Sequence, residues 1–82
     1  MIKMLTQDNC GQCIALKKYL DLGLRGKYND VIEVIKKEDN PEEFMRLVKL
    51  HGITSTPALI AEKDVLRNPS VSNAESFIKA NQ

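Results

Sequence analysis

The chain has 82 residues, of which 43% are apolar and 28% are charged, and its net charge at pH 7 is +1. These proportions are those of an ordinary globular protein and exclude a disordered tail. Because basic and acidic side chains are interleaved along the chain, we expect no nucleic acid among its partners.

No apolar run approaches the roughly 20 residues that a membrane-spanning helix needs. Residues 1–6 are also too short for the hydrophobic region of a signal peptide. We therefore expect a cytoplasmic protein with no membrane partner. The length fits one domain over residues 1–82, and we expect this domain to be a monomer.

The first predicted elements are a strand and a helix. The mostly apolar residues 2–6 predict a short strand that ends at the polar residues 7–9. A helix is predicted to begin near Cys10 and to continue until Gly23 and Gly26 interrupt it. The apolar residues at approximately helical spacing are Ile14, Leu16, Tyr19, Leu20, Leu22 and Leu24.

A second strand and a second helix follow. The β-branched residues Val31, Ile32, Val34 and Ile35 predict a strand buried on both faces, as expected in a parallel pair. Asn40 predicts a helix start because Asn caps helices, and the next residue is a proline at the first helical position. The helix is predicted to end at Gly52. Its buried residues are expected to be Phe44, Leu47, Val48 and Leu50.

The C-terminal third predicts a hairpin and a final helix. Residues 58–61 and 65–66 are apolar and flank a polar turn, which indicates two antiparallel strands. Ser72 and Glu75 have the spacing of a capping box. This box predicts a helix whose buried residues are Ala74, Phe77 and Ile78. The predicted element order is β-α-β-α-β-β-α, an α/β fold.

Cys10-Gly11-Gln12-Cys13 carries the candidate chemistry. A disulfide in so small a loop stabilises a domain little, because the effect grows with loop length. In a reducing compartment, cysteines this close together more often do redox or metal chemistry. Cysteines activated at helix N-termini have pKa values of about 3.5 to 7.5, against about 8.5 for a free thiol. We therefore expect part of Cys10 to be thiolate at neutral pH.

Positions three apart on a helical turn can form a disulfide with little backbone movement. We expect Cys10 to attack a substrate disulfide and to form a mixed disulfide. Cys13, predicted to lie deeper, would then resolve this intermediate and release the reduced substrate.

Three alternatives remain open for this motif. The cysteines could be a buried, inert pair. They could bind a metal or an iron–sulfur cluster, but one chain offers only Cys10, Cys13 and His51, so a closed site would need a dimer or added ligands. We expect no metal in a single chain. The third alternative is a redox-inactive interaction domain.

Two separated segments resemble the thioredoxin/glutaredoxin superfamily. One is the motif at 10–13 after a strand, and the other is Gly52-Ile53-Thr54-Ser55-Thr56-Pro57-Ala58-Leu59, which looks like the segment leading into a cis-proline. The resemblance implies a thioredoxin-like fold, with a four-stranded mixed sheet flanked by helices. It also implies a redox-active Cys10–Cys13 disulfide.

The resemblance further implies that the Thr56–Pro57 bond is cis and that the Thr56 backbone pairs with an extended substrate segment beside Cys10. An X-Pro bond can be cis at a cost of only about 0.5 to 1 kcal/mol. The alternative is an ordinary trans proline that starts an edge strand. The substrate-binding residues implied are Gly11, Gln12, Ser55, Thr56 and Pro57.

Departures from the family patterns indicate the kind of substrate. Asn9 replaces the usual Trp of thioredoxins, and Met4 replaces their buried Asp. Gln7 replaces a glutathione-binding Lys of glutaredoxins, and residues 68–73 lack their Gly-Gly and acidic pair. A charge-assisted contact to the glutathione amine is therefore missing. Gln12 matches some small redoxins that serve ribonucleotide reductase.

The expected function is a thiol–disulfide oxidoreductase that carries electrons to protein disulfides, with ribonucleotide reductase as a candidate substrate. No bound cofactor is expected. The expected partners are disulfide-containing proteins and a reductase of the thioredoxin-reductase flavoprotein type. The alternative is a glutathione-dependent glutaredoxin, in which glutathione supplies the electrons.

Overall fold

A four-stranded mixed sheet organises the chain in a computed structural model that describes residues 1–82. The strands are β1 (Ile2–Thr6), β2 (Ile32–Lys36), β3 (Ala58–Ile60) and β4 (Val65–Leu66), in the order β2-β1-β3-β4. β1 pairs in parallel with β2 and antiparallel with β3, and β3 pairs antiparallel with β4. The predicted parallel pair and C-terminal hairpin are confirmed.

Three α-helices complete the fold: α1 (Gly11–Lys18), α2 (Pro41–His51) and α3 (Ala74–Ala80). A π-helical turn at Tyr19–Gly23 continues α1, and a 3-10 turn at Asn29–Val31 precedes β2. The element order β-α-β-α-β-β-α is therefore confirmed. None of the helices has the length and apolar character that crossing a bilayer requires.

Two apolar clusters lie against the sheet, because side chains alternate between its faces along β1 and β3. One cluster joins α1 and α3 to the sheet and includes Ile2, Met4, Leu16, Leu20, Leu59, Ala74, Phe77 and Ile78. The other joins α2 to the sheet and includes Leu5, Ile35, Phe44, Leu47, Ala58 and Ile60. The central strands β1 and β3 are thus buried on both faces, and their ends hold the neighbouring loops in place.

The expectation that the second strand is buried on both faces is wrong. β2 pairs only with β1 and forms an edge of the sheet. Ile35 packs into the α2 cluster, whereas 43% of Val34 is exposed. Val31 lies outside the strand, in the 3-10 turn. The order of strands is a long-range property, so the β-branched composition alone did not reveal which strand lies at the edge.

The first helix is shorter as an α-helix than the sequence indicated. Leu16 and Leu20 are buried as expected, but 75% of Leu22 is exposed in the π-helical turn. A Cβ at Gly23 would lie 2.8 Å from Cδ1 of the Tyr19 ring, so the turn closes tightly onto that ring. Only glycine fits this close approach without moving the ring.

The predicted ends of α2 are confirmed, but the start of α3 differs. Asn40 caps α2, and Gly52 ends it in the left-handed conformation, with a φ of 62°. Leu50 was expected to be buried and is 65% exposed. The predicted capping box is wrong: α3 begins at Ala74, and Glu75 accepts a hydrogen bond from the Tyr28 hydroxyl instead.

Candidate active site

The cysteine motif lies where β1 passes into α1. Asn9 has a φ of 58°, a left-handed conformation that asparagine tolerates better than most residues. This turn brings Cys10 to the N-cap of α1, with extended backbone angles. The predicted helix start at the first cysteine is confirmed. Gly11 and Gln12 are exposed at the beginning of the helix.

The two cysteine sulfurs are bonded, and their Cα atoms lie 5.2 Å apart. The backbone N–H of Cys13 donates a hydrogen bond to Cys10 Sγ at 3.2 Å. Cys13 is only 3% exposed, whereas Cys10 is half-buried. The expectation that Cys13 lies deeper than Cys10 is confirmed. An external disulfide therefore reaches Cys10 more readily than Cys13.

The charge distribution along α1 favours a negative charge on Cys10. The first turn contains no acidic residue, and the last turn contains Lys17 and Lys18. The unpaired N–H groups and the positive end of the helix dipole therefore face the sulfur with no competing carboxylate in that turn. A helix N-terminus of this kind is the environment in which cysteine thiolates are stabilised.

The segment before β3 meets the first cysteine. The Thr56–Pro57 peptide bond is cis, as the resemblance implied. The Thr56 carbonyl oxygen and the Thr56 Oγ1 each lie 3.6 Å from Cys10 Sγ. Pro57 is buried and Ser55 is exposed. Neither the N–H nor the C=O of Thr56 has a backbone partner, so both remain able to pair with an added strand.

The structure adds Gln7 to this site. Its Nε2 donates a hydrogen bond to Thr56 Oγ1 at 2.8 Å, across 49 positions of sequence. The sequence placed Gln7 three residues before Cys10 but carried no signal for this contact. The contact follows from the antiparallel β1–β3 register: Leu5 pairs with Ala58, so Gln7, two residues after Leu5, faces Thr56, two residues before Ala58.

A charged rim, formed by Asp8, Lys36 and Glu38, holds the loop before Cys10 in place. Asp8 forms an ion pair with Lys36, with 2.7 Å between Oδ1 and Nζ, and its backbone N–H donates to Glu38 at 3.1 Å. The hydrogen bond to Asp8 is the main cause that raises the pKa of Lys36 above its usual value. These contacts tie the loop to the end of β2 and hold the start of α1 in place.

Two open grooves flank the cysteines. A groove of about 490 Å³ between α1 and β2 reaches Cys13, and Lys17, Lys18 and Lys36 line it together with Asp8 and Asp21. A second groove, of about 440 Å³, has no charged side chain in its wall. The residues of this uncharged groove are Gln12, Ala15, Leu16, Asn68, Pro69, Ser70 and Val71.

Comparison of the chain with models of known protein families, with characterised proteins and with solved structures finds no match. Nowhere in the chain do three or more His, Cys, Asp or Glu side chains come together in a group that could hold a metal ion. The geometry of the site is therefore the basis on which its chemistry can be argued.

Proposed function

We propose that the chain is a thiol–disulfide oxidoreductase with a thioredoxin-like fold, which reduces protein disulfides through Cys10 and Cys13. The observation that carries this proposal is the paired placement of the two sulfurs. Cys10 is half-buried at the N-terminus of α1, and Cys13 is buried one turn later at bonding distance. This is the arrangement that a nucleophilic cysteine and its resolving partner require.

The reaction proceeds by two thiol–disulfide exchanges. The Cys10 thiolate attacks one sulfur of a substrate disulfide; that S–S bond breaks, and the other substrate sulfur leaves as a thiolate and takes up a proton. Cys13 loses its proton to water or to the substrate and attacks Cys10 Sγ. The Cys10–Cys13 disulfide forms, the mixed disulfide breaks, and the second substrate sulfur leaves as a thiolate and takes up a proton. The dithiol is oxidised and the substrate disulfide is reduced by two electrons.

The substrate surface consists of the backbone of Thr56 and the uncharged groove beside Gln12. The free N–H and C=O of Thr56 can pair with an extended substrate segment next to Cys10. The exposed Ser55 precedes this pairing position. The uncharged groove offers no ion pair to a glutathione carboxylate or amine. On this side of the cysteines a protein disulfide is therefore favoured over a glutathione mixed disulfide, and the resemblance at Gln12 makes ribonucleotide reductase the candidate protein substrate.

A trapping experiment tests the assignment of the two cysteines. Insulin, whose interchain disulfides are accessible to an external thiol, is the substrate, and the adducts are separated on a non-reducing gel. Cys13→Ser is expected to accumulate a mixed disulfide through Cys10. Cys10→Ser is expected to accumulate none, because the remaining thiol is buried. Equal trapping by both variants would contradict the proposed roles.

Reduction of insulin with two electron donors tests the choice of partner. We expect faster turnover with NADPH and a thioredoxin-reductase-type flavoprotein than with glutathione and glutathione reductase. Faster turnover with glutathione would identify the protein as a glutaredoxin. If neither donor supports reduction and the Cys10 thiol reacts no faster than a free thiol, the proposed function is wrong.

A further inference from the structure

A chain of hydrogen bonds leads from Gln7 to the sulfur of Cys10. Gln7 Nε2 donates to Thr56 Oγ1 at 2.8 Å, and Thr56 Oγ1 lies 3.6 Å from Cys10 Sγ with geometry that allows its hydrogen to be donated to the sulfur. The Gln7 and Thr56 side chains are half-buried. None of the three residues belongs to an ion pair.

We propose that Gln7 is a positioning residue that sets the Thr56 hydroxyl to donate its hydrogen bond to the Cys10 thiolate. This inference rests on the proposed function, in which Cys10 is the attacking thiolate. It assigns to Gln7 a role in the reactivity of Cys10 that neither a helix N-terminus nor the Cys10–Cys13 spacing supplies.

The number of hydrogen bonds that the Thr56 hydroxyl can donate and accept explains how Gln7 acts on the Cys10 thiolate. A threonine hydroxyl has one hydrogen to donate and two lone pairs that accept. When Gln7 donates into one lone pair, the hydrogen of Thr56 stays free for Cys10 Sγ, and the added polarisation strengthens that second bond. A hydrogen bond to the charged form of a group favours that form. Gln7 therefore stabilises the thiolate without adding a charge.

The sheet makes this contact a fixed feature of the fold. Gln7 follows the last residue of β1, and Thr56 lies two residues before β3. The two strands pair antiparallel, with Leu5 opposite Ala58, and this register continued outward places Gln7 opposite Thr56. The side chains meet because the register of two buried strands brings them together, so the hydroxyl is held by central elements of the sheet.

Charged groups around the motif also act on the Cys10 sulfur. Their effect must be distinguished from that of the Gln7–Thr56–Cys10 hydrogen-bond chain, which we call the relay. The charged groups nearby are Asp8, Lys36 and Glu38 on the rim, Lys17 and Lys18 in α1, and Asp21 in the π-helical turn after it. These groups are partly exposed, so salt screens their influence. A short hydrogen-bond relay is screened much less. The experiment is therefore run at low salt and at about 1 M salt, where the Debye length is about 3 Å.

The test measures the pH midpoint at which iodoacetamide alkylates Cys10 in the reduced protein. The variants are Gln7→Met, Thr56→Val and the two combined, with Gln82→Met as the matched control at an exposed residue. We expect Thr56→Val to raise the midpoint by about one pH unit, the usual worth of a hydrogen bond to a charged group. At a pH below both midpoints the alkylation rate then falls about threefold, because the smaller thiolate fraction is partly offset by higher nucleophilicity.

The relay predicts a specific failure of additivity. Gln7→Met is expected to raise the midpoint when Thr56 is present and to leave it unchanged in the Thr56→Val background. Thr56→Ser, which keeps the hydroxyl, is expected to restore the effect of Gln7. Gln82→Met is expected to shift nothing. Gln7→Glu provides a second test, because a carboxylate accepts the hydrogen of the Thr56 hydroxyl and so withdraws it from Cys10. We expect Gln7→Glu to raise the midpoint more in the parent background than in the Thr56→Val background, at both salt concentrations.

Three results would overturn the proposal. In the first, Gln7→Met leaves the midpoint unchanged, and in the second it raises the midpoint equally with and without the Thr56 hydroxyl. In the third, Gln7→Met lowers the midpoint, which would mean that the Gln7 amide oxygen faces Thr56 and draws the hydrogen away from the sulfur. The midpoint is measured without a substrate, so it is independent of the insulin assay. A parent protein that reduces no disulfide would contradict the proposed function, whereas additive midpoints beside normal insulin reduction would contradict only the relay.

Discussion

The N-termini of α1 and α2 are built on the same plan but differ in charge. In each helix the side chain of the N-cap residue accepts a hydrogen bond from the backbone N–H three residues later. Asn40 Oδ1 accepts from Glu43 at 3.4 Å, and Cys10 Sγ accepts from Cys13 at 3.2 Å. The first turn of α2 contains two glutamates, whereas the first turn of α1 contains no acidic residue.

This difference shows how one structural feature can provide either stability or reactivity. The carboxylates of α2 neutralise the positive end of its dipole, which stabilises the helix. In α1 the same end of the dipole is left to the Cys10 sulfur, which carries a negative charge when it acts as the attacking thiolate of the proposed function. The two helix starts should therefore respond differently to substitution: α2 in the free energy of unfolding, and α1 in the reactivity of the thiol.

The strongest test of this comparison is Cys10→Ser. Serine is a good N-cap residue, so we expect the free energy of unfolding to stay within about 1 kcal/mol of that of the reduced parent. Insulin reduction is expected to fall to the uncatalysed rate, because a serine hydroxyl cannot take part in thiol–disulfide exchange. Urea unfolding of both proteins in reducing buffer, beside the insulin assay, provides the measurement. Activity that survives in the variant would show that Cys10 is not the nucleophile.

The matching substitution at the second helix is Asn40→Ala. Loss of the capping oxygen is expected to lower the free energy of unfolding by about 1 kcal/mol, while the Asn40 carbonyl still accepts from Phe44 at 3.0 Å. The pH midpoint of Cys10 alkylation is expected to stay at the parent value. Asn40→Ser, which keeps a capping oxygen, is the control and should retain most of the stability. A shifted midpoint in Asn40→Ala would show that the two helix starts are coupled.

A smaller effect is expected when the first turn of α1 is made to resemble that of α2. Gly11→Glu places a carboxylate near Cys10, and a Cβ at this position meets no atom within 4 Å, so the substitution fits sterically. We expect the alkylation midpoint to rise by about half a pH unit through repulsion between two partly solvated negative charges. Gly11→Gln is the uncharged control. Equal midpoints for Glu and Gln at about 10 mM salt would contradict the dipole argument.

Local signals in the sequence predicted the parts of the fold that depend on neighbouring residues. The cap and the terminal glycine of α2 are such signals, because Asn40 and Gly52 act on their own helix. The exposure of Val34 could not be predicted, since it depends on which strand lies at the edge of the sheet. The start of α3 was also missed, because Asn73 Oδ1 accepts from the Ser70 N–H and Ser70 Oγ contacts Ser72 Oγ. That local turn competes with the capping box.

In the candidate site, too, the sequence predicted the features that depend on neighbouring residues and missed those that depend on distant ones. The positions of Cys10 and Cys13 on one helical turn followed from their spacing, whereas the reason for the greater depth of Cys13, which shares the buried face of α1 with Leu16, came from the structure. The approach of Thr56 to the sulfur was implied only by resemblance. The role of Gln7 depends on the register of two strands that are far apart in sequence, so no local pattern indicated it.

Glu43, in the first turn of α2, is expected to affect the stability of the fold and to leave the Cys10 thiol unchanged. Hydrogen bonds from Arg46 and then from Lys3 lower the pKa of Glu43 from 4.5 to about 2. The lowered value means that the ionised carboxylate stabilises the fold above about pH 4.5, and that this stabilisation disappears as the pH falls towards 2. Because Lys3 lies in β1, the contact at 3.1 Å also fastens α2 to the sheet.

We therefore expect Glu43→Gln to have a lower free energy of unfolding than the parent above pH 4.5. As the pH falls to about 2, the two free energies should converge, so the stability of the variant changes less with pH than that of the parent. Urea unfolding at several pH values measures the two curves, and the difference should shrink in high salt because the groups are partly exposed. Glu42→Gln, a neighbouring carboxylate outside these ion pairs, is the control. Glu43 belongs to the helix start that stabilises the fold, so the pH midpoint of Cys10 alkylation should be the same in the parent, Glu43→Gln and Glu42→Gln. A shifted midpoint in Glu43→Gln alone would show that the charge at the start of α2 affects the thiol across the sheet.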